Sequence, residues 1–513
     1  MQEVRYNRSN DTAGISKNFF YIALALMCLA VLIVFAYLLF DESFKISFPD
    51  AFILPWTLLP LISILSPWAY LIYTKKFHLF NPIVFAGWSY FIPAFVVGGV
   101  ILAAGWSQPY FLTFIQNPEY DIPLSLTYVA IGYLGLSAGY LIPHGRKIGQ
   151  MISIKLPEWN WTPEELLVPA LMLLLIGLFF NFSAFVGGVL GFQRLEQIGT
   201  FDAFQYFLTL IIVEGNFLLW LVILKSPKRD VRFNFVLAIL IAMIPLRMIL
   251  LGNRSSLLAA VVMITMAYVF SGRKLKLKHG IIVSVLGVVA MAAGILYGTT
   301  FRTVKGTEDR VSLEQYIDSS LKTFDKIGTQ DFNKTTNETF YATAERIDGL
   351  SSLAVLVSNY EKLAVYEASY GLENNIWNYT WTAFIPRVVW DDKPIISDAR
   401  AYGDLYFNYG ENSFAMTVIG DLLRNFGPFG IPIGMIVLGF VLRIIYATLM
   451  ENGTPTIWKS VAYFMLLTTV SYESFYGTIL PLLLRISFVV FFSLLFIRLL
   501  AGSGKRQNYI LES

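Results

Sequence analysis

The chain has 513 residues, of which 56% are hydrophobic and 14% charged, with a formal net charge of +3. So few charges among so many apolar residues exclude an ordinary soluble globular protein and point to a bilayer. The small positive excess excludes a nucleic-acid binder, and a single cysteine, Cys28, excludes a disulfide framework or a cysteine-rich metal site.

A hydrocarbon core of about 30 Å takes roughly 20 apolar residues of helix. In chain order, twelve runs are predicted as spans, near 18–40, 51–73, 80–104, 123–143, 165–187, 204–224, 233–251, 255–271, 280–299, 425–449, 457–476 and 478–500. The first follows a polar stretch and has no small-residue cleavage site after it, so it reads as an uncleaved span. Only LGNRSS divides the seventh from the eighth. Runs this uniformly apolar are helices and not barrel strands, because each must satisfy its own backbone in lipid. The expected fold is all-α, a polytopic helical membrane protein of about 12 transmembrane helices in a GT-C-like bundle. Residues 1–299 form a nine-helix bundle, 300–413 a large helical extracytoplasmic loop, and 414–513 three closing helices and a tail.

The short loops separate by charge. One set carries Arg5, Arg8 and Lys17, then Lys75 and Lys76, Arg146, Lys147 and Lys155, Lys225, Lys228, Arg229 and Arg232, and Arg273, Lys274, Lys276 and Lys278. The alternate set carries only Lys45, Arg194 and Arg254. Lysine and arginine resist translocation, so the basic set and both termini are expected in the cytoplasm. By alternation the long connection from about 300 to 414 lies outside. Leu313, Tyr316, Ile317, Leu321, Phe324 and Ile327 share one helical face there, and so do Ile347, Leu350, Leu353, Val357, Tyr360 and Leu363. Two amphipathic helices resting on the membrane surface or on the bundle are predicted.

His78, His144 and His279 all fall on the cytoplasmic side of this scheme, which leaves no imidazole outside for a zinc site or an activated nucleophile. Arginine collects outside instead, as Arg194, Arg254, Arg302, Arg346, Arg387 and Arg400, with Arg247 and Arg424 near the outer ends of their helices. Guanidinium forks pair with phosphate or carboxylate and keep their charge, although any one of them can equally anchor a helix at lipid headgroups. Glu214, about ten residues into the sixth run, is a site candidate or a structural partner of Arg247. Asp421 and Arg424 in IGDLLRNFGPFG are an ion pair or part of a site. Gly427, Pro428, Gly430 and Pro432 then break or bend the helix and favour a cavity there. Trp377, Tyr379, Trp381 and Trp390 stack on sugars or form an interfacial belt.

With twelve spans, a long late outer loop, GNRSS at an outer helix junction, IPRVVWDDKP in the loop and IGDLLRNFG after it, the chain resembles Wzy-type polymerases of O-antigen and capsule repeat units. The spacing of arginine, ten residues and glycine described for some members is absent after Arg254, Arg302, Arg346, Arg387 and Arg400. The resemblance implies a glycosyltransferase of the bacterial cytoplasmic membrane that joins undecaprenyl-pyrophosphate-linked oligosaccharide repeat units at its outer face, with no metal and no cofactor. A chain-length regulator is an implied partner. Arg254, Arg302, Arg387, Lys393 and Arg424 are then the pyrophosphate clamp, and Glu214, Asp348 or Asp421 the carboxylate that orients or deprotonates the acceptor hydroxyl. Trp377, Trp381 and Trp390 are the sugar-stacking residues. The rival readings are an O-antigen ligase, a GT-C glycosyltransferase using polyprenyl-phosphate sugars with Asp41 and Glu42 as its acidic pair, and a lipid-oligosaccharide flippase.

Overall fold

The computed structural model describes residues 48, 50–187, 202–226, 230–251, 256–305, 313–329, 332–382, 385, 389–390, 393, 398–410, 414, 416–452 and 455–511. Every regular element among them is helical. In chain order these are α1 (Ala51–Tyr73), α2 (Pro82–Ala103), α3 (Pro118–Leu141), α4 (Pro143–Lys155), α5 (Pro163–Val186), α6 (Phe204–Lys225), α7 (Val231–Leu251), α8 (Ser256–Phe270) and α9 (Leu277–Lys305). There follow α10 (Leu313–Thr329), α11 (Phe332–Ile347), α12 (Leu350–Leu363), α13 (Asn375–Thr382) and α14 (Ala399–Phe407). The chain closes with α15 (Val418–Leu449), α16 (Ile457–Thr469) and α17 (Tyr476–Leu511).

Among the described residues nine helices are long and apolar enough to cross a membrane: α1, α2, α3, α5, α6, α7, α9, α15 and α17. The chain is a multi-pass membrane protein. The run at 18–40 and the pair Asp41 and Glu42 lie outside the described residues. Two further predicted spans are shorter than expected, α8 with 15 residues and α16 with 13. Residues 470–475 leave helical geometry and run along the start of α15, where Thr417 and Val418 donate to the carbonyls of Glu473 and Tyr472.

Local chemistry explains where several helices begin. Proline opens α2, α3, α4 and α5, where its missing N–H costs nothing because first-turn donors have no intrahelical acceptor. The Asn81 side chain accepts from Ile83 N at the head of α2, and Thr162 and Glu165 cap α5 reciprocally. Gly427, at φ 68° and ψ −169°, divides α15 into a first segment and the apolar run from Pro428 onward, whereas Pro428 and Pro432 remain helical.

Among the described residues two large hydrophobic cores form, with a small third cluster of Phe185, Tyr297, Phe301 and Tyr316 beneath α10. The first joins α1, α2 and α3 to α12, α14, α15 and the 470–483 stretch, and the second joins α5 to α8 with α16 and α17. Both large cores draw on segments from either side of residue 300. The closest approach is between α3 and α15, where a Cβ on Gly139 would overlap the Ile436 carbonyl and one on Gly439 the Leu136 carbonyl. Small residues bring the two backbones into direct contact, the usual way helices associate in lipid.

The bundle has two unlike ends. At one, Arg443 on α15 pairs through both terminal guanidinium nitrogens with Glu451 at 2.8 and 2.9 Å, and Arg146 on α4 joins at 3.2 Å. Arg273, beyond α8, donates to the Leu224 carbonyl of α6 at this end. His78, half-buried between Phe80 and Phe270, has its pKa pushed down to about 4 by desolvation. At the other end α10 to α14 form a cap. Tyr316 of α10 donates to the Ile249 carbonyl of α7 at 2.7 Å, and Tyr110, in the α2–α3 connection, donates to the Phe407 carbonyl at 2.9 Å. Of the two predicted amphipathic helices, α10 keeps Ile317, Leu321 and Phe324 exposed. The first two turns of α12 are buried on every side, from Leu350 to Val357.

Candidate functional site

The densest polar cluster ties the cap to the bundle. Thr417 caps α15 through Gly420 N, which sets Asp421, Arg424 and Asn425 on one face toward the turn after α12. Arg424 donates from Nη1 to Glu367 Oε2 at 2.8 Å and to the Leu372 carbonyl at 2.7 Å. Its Nη2 donates to Asn375 Oδ1 at 2.5 Å and to Asp421 Oδ1 at 3.0 Å. Asp421 also accepts from Asn375, Asn425 and, through Oδ2, from Gly477 N at the head of α17. Tyr406 of α14 donates to Glu367 Oε1 at 2.8 Å. Two carboxylates share one guanidinium here. Burial pushes the Glu367 carboxyl above its ordinary value, and Arg424 opposes that shift without cancelling it.

Arg424 and Asp421, nominated for the clamp and for acceptor activation, are therefore bonded inside the protein. A substrate oxygen would have to displace those partners. Asp348 is engaged in a similar way. Its Oδ1 accepts from Leu350 N and Ser351 N at 3.0 Å each, and its Oδ2 accepts from Ser107 at 2.8 Å and from the Ser351 hydroxyl. It caps α12 and fastens it to the loop after α2. Burial raises its pKa, and these hydrogen bonds oppose the rise.

The stretch FIPRVVWDDKP is described at Ile385, Val389, Trp390 and Lys393. Lys393 is buried, and its ammonium donates to the carbonyls of Thr382 at 2.6 Å and Ile385 at 3.1 Å, closing the turn after α13 on itself. Trp390 stacks on Trp381 with centroids 6.2 Å apart. Trp377 and Trp381, four residues apart on one face of α13, are 70% and 48% exposed.

Glu214 is 0% exposed within α6, and neither of its oxygens accepts a hydrogen bond. The Ser493 hydroxyl of α17 is a polar neighbour outside hydrogen-bond geometry. No ion pair joins Glu214 to Arg247, whose Nε is buried without a partner. Arg346 pairs with Glu473 at 2.5 Å on the surface where α11 meets the 470–475 stretch. Arg194, Arg254 and Arg387 lie outside the described residues, as does the side chain of Arg302. Among the described residues no group of three or more His, Cys, Asp or Glu side chains is placed to hold a metal ion.

Three cations missing from the outer arginine list emerge. Arg443 and Lys459 sit in apolar helices toward the basic end. Arg485 sits in α17, with its guanidinium carbon 5.4 Å from the Phe207 ring centre and 5.9 Å from that of Tyr379. A charged residue nine positions into an apolar run was the available signal for Arg485. No family model, curated protein or solved structure matches the chain, so the site rests on its own geometry.

Proposed function

We propose that the protein is a metal-independent glycosyltransferase of the bacterial cytoplasmic membrane that polymerises undecaprenyl-pyrophosphate-linked oligosaccharide repeat units at the outer face. Both termini and the basic end are cytoplasmic in this reading, and the cap faces outward. The growing chain is the donor. A hydroxyl of the next lipid-linked unit attacks its anomeric carbon, and lipid pyrophosphate leaves. The negative charge gathering on that leaving group calls for fixed cations, for which Arg254, Arg302 and Arg387 remain the nominated residues.

The observation that carries this reading is the cap. Helices α10 to α14 are fastened to the end of the bundle opposite the basic loops, through Asp348, Glu367 and Arg424. A folded cover of this size on one face of a membrane bundle suits chemistry on a substrate held at that face. Trp377 and Trp381 supply exposed rings of the type that stacks on sugars.

Deletion of the gene in its host, followed by electrophoresis of the surface polysaccharide, tests the reading. Loss of the long ladder with retention of single-repeat material is expected, and an unchanged ladder overturns it. Arg254→Ala and Arg387→Ala are expected to abolish polymer at unchanged protein level, and full polymer in both removes them from the clamp.

A further inference from the structure

Helix α16 starts with a surplus of donors. Thr456 stands at its N-cap, but the Thr456 hydroxyl makes no capping bond and is buried without a partner. The first-turn amides that follow, from Ile457 to Lys459, have no acceptor within the helix, and no acidic residue lies in that turn. Unsatisfied amides give a helix start a partial positive charge, and a cation placed beside it is electrostatically unfavourable. Lys459 nevertheless sits there, only 9% exposed, and no carboxylate among the described residues pairs with it. Its ammonium lies 5.8 Å from the ring centre of Trp458. Trp458 is 5% exposed, and its indole N–H is likewise buried without an acceptor. Helical side chains lean toward the N-terminus of their helix, so Trp458 and Lys459 both lean toward this uncapped turn.

A second cation approaches from α17. Arg498, an exposed residue, sets its guanidinium carbon 5.4 Å from the ring centre of Trp159, which lies 5.5 Å from that of Trp458. The acids of the adjoining segments do not balance these charges. Glu451 is held by Arg443 and Arg146, Glu165 caps α5, and Glu158 and Glu164 are exposed. Indole, ammonium, guanidinium and amide N–H groups can only donate, so the ligand that suits them is an anion rich in acceptors, such as a phosphate. The place also borders lipid. Val168, Met172 and Leu175 form an exposed apolar stripe along α5, which begins just after Trp161 and packs against α17, and Leu499 is exposed beside Arg498. In a bilayer these side chains meet acyl chains, which a free phosphate lacks. We propose that the start of α16, with Trp458, Lys459 and Arg498, binds the phosphate of an anionic glycerophospholipid in the leaflet at the basic end of the bundle. The bound lipid bridges α5, α16 and α17 and neutralises two cations that the fold leaves without carboxylates. This site lies at the end opposite the cap and is independent of the polymerase reading.

The test is native mass spectrometry of the full chain released from detergent after titration with dioleoyl phosphatidylglycerol or dioleoyl phosphatidylcholine. Wild type is expected to retain the anionic lipid about tenfold more tightly than the zwitterionic one. Lys459→Gln and Arg498→Gln should each weaken that retention about tenfold, the loss of one charge-assisted contact. Trp458→Phe keeps a ring and removes the N–H, and should weaken it about threefold. Lys76→Gln, in the basic loop between α1 and α2, is the control and should leave it unchanged. Equal retention of the two lipids by wild type overturns the proposal, as does retention of the anionic lipid by Lys459→Gln and Arg498→Gln at the wild-type level. A loss in Lys76→Gln as large as in Lys459→Gln identifies diffuse attraction to the basic end and overturns it too. Should Lys459→Gln fail to fold, Arg498→Gln, at an exposed position, decides by the same comparison. Wild-type retention in Trp458→Phe, with losses in both cation variants, identifies an ordinary headgroup anchor and overturns the built site. Displacement of the bound lipid by inorganic phosphate identifies a free-anion site and overturns the lipid assignment.

Discussion

Arg424 is held by two carboxylates, a side-chain amide and a carbonyl, and only its Nε is left buried without a partner. Removing the guanidinium leaves Glu367 and Asp421 without a counter-charge in a buried junction, and breaking a buried ion pair from one side costs about 3–5 kcal/mol. Arg424→Gln is therefore expected to lower the melting temperature in detergent sharply or to leave no folded protein. A melting temperature equal to that of wild type would show that the junction tolerates two acids without a counter-charge. Glu367 adds a pH dependence. Because burial raises its folded pKa above the unfolded value, its contribution to stability is complete below the unfolded value and is lost as pH rises through the folded one. Thermal stability should fall as pH rises from the ordinary glutamate range through the raised folded value, and Glu367→Gln should flatten this component.

Close backbone contact, and not side-chain volume alone, joins α3 to α15. Gly139→Ala places a methyl against the Ile436 carbonyl and should destabilise the protein by about 1–3 kcal/mol, the usual cost of overpacking. Gly280→Ala on α9 meets nothing within 4 Å and is the neutral control. If the two variants melt alike, the seam is looser than its geometry. At Gly427 the obstacle is conformational, because φ 68° is strained for any residue with a Cβ. Gly427→Ala should cost about 1–2 kcal/mol, read as a lower melting temperature with the fold retained. The beginnings of these helices were readable as prolines and capping residues. The break at Gly427 was readable too. The all-round burial of the first two turns of α12 was not, because its apolar stripe reads as a surface helix until α2, α3, α14 and α15 close around it.

At the scale of the whole molecule, the basic loops gather at one end and the cap covers the other. In a Cys28→Ser background, a membrane-impermeant maleimide applied to intact cells should label Lys322→Cys on α10 and spare Lys75→Cys between α1 and α2. The opposite pattern would invert the orientation and with it the outward-facing cap.

By itself the sequence determined that the chain is a multi-pass helical membrane protein, where most of its spans lie and how charge alternates along its loops. Each of these depends on the composition of a contiguous window. Only the tertiary structure decided what the charged residues do. Arg424 meets Glu367 from 57 positions away, and Asp348 meets Ser107 from 241. Arg485 meets an aromatic ring from the cap and another from α6. In lipid a charge is defined by the partners that the fold brings to it, and those partners are distant in sequence.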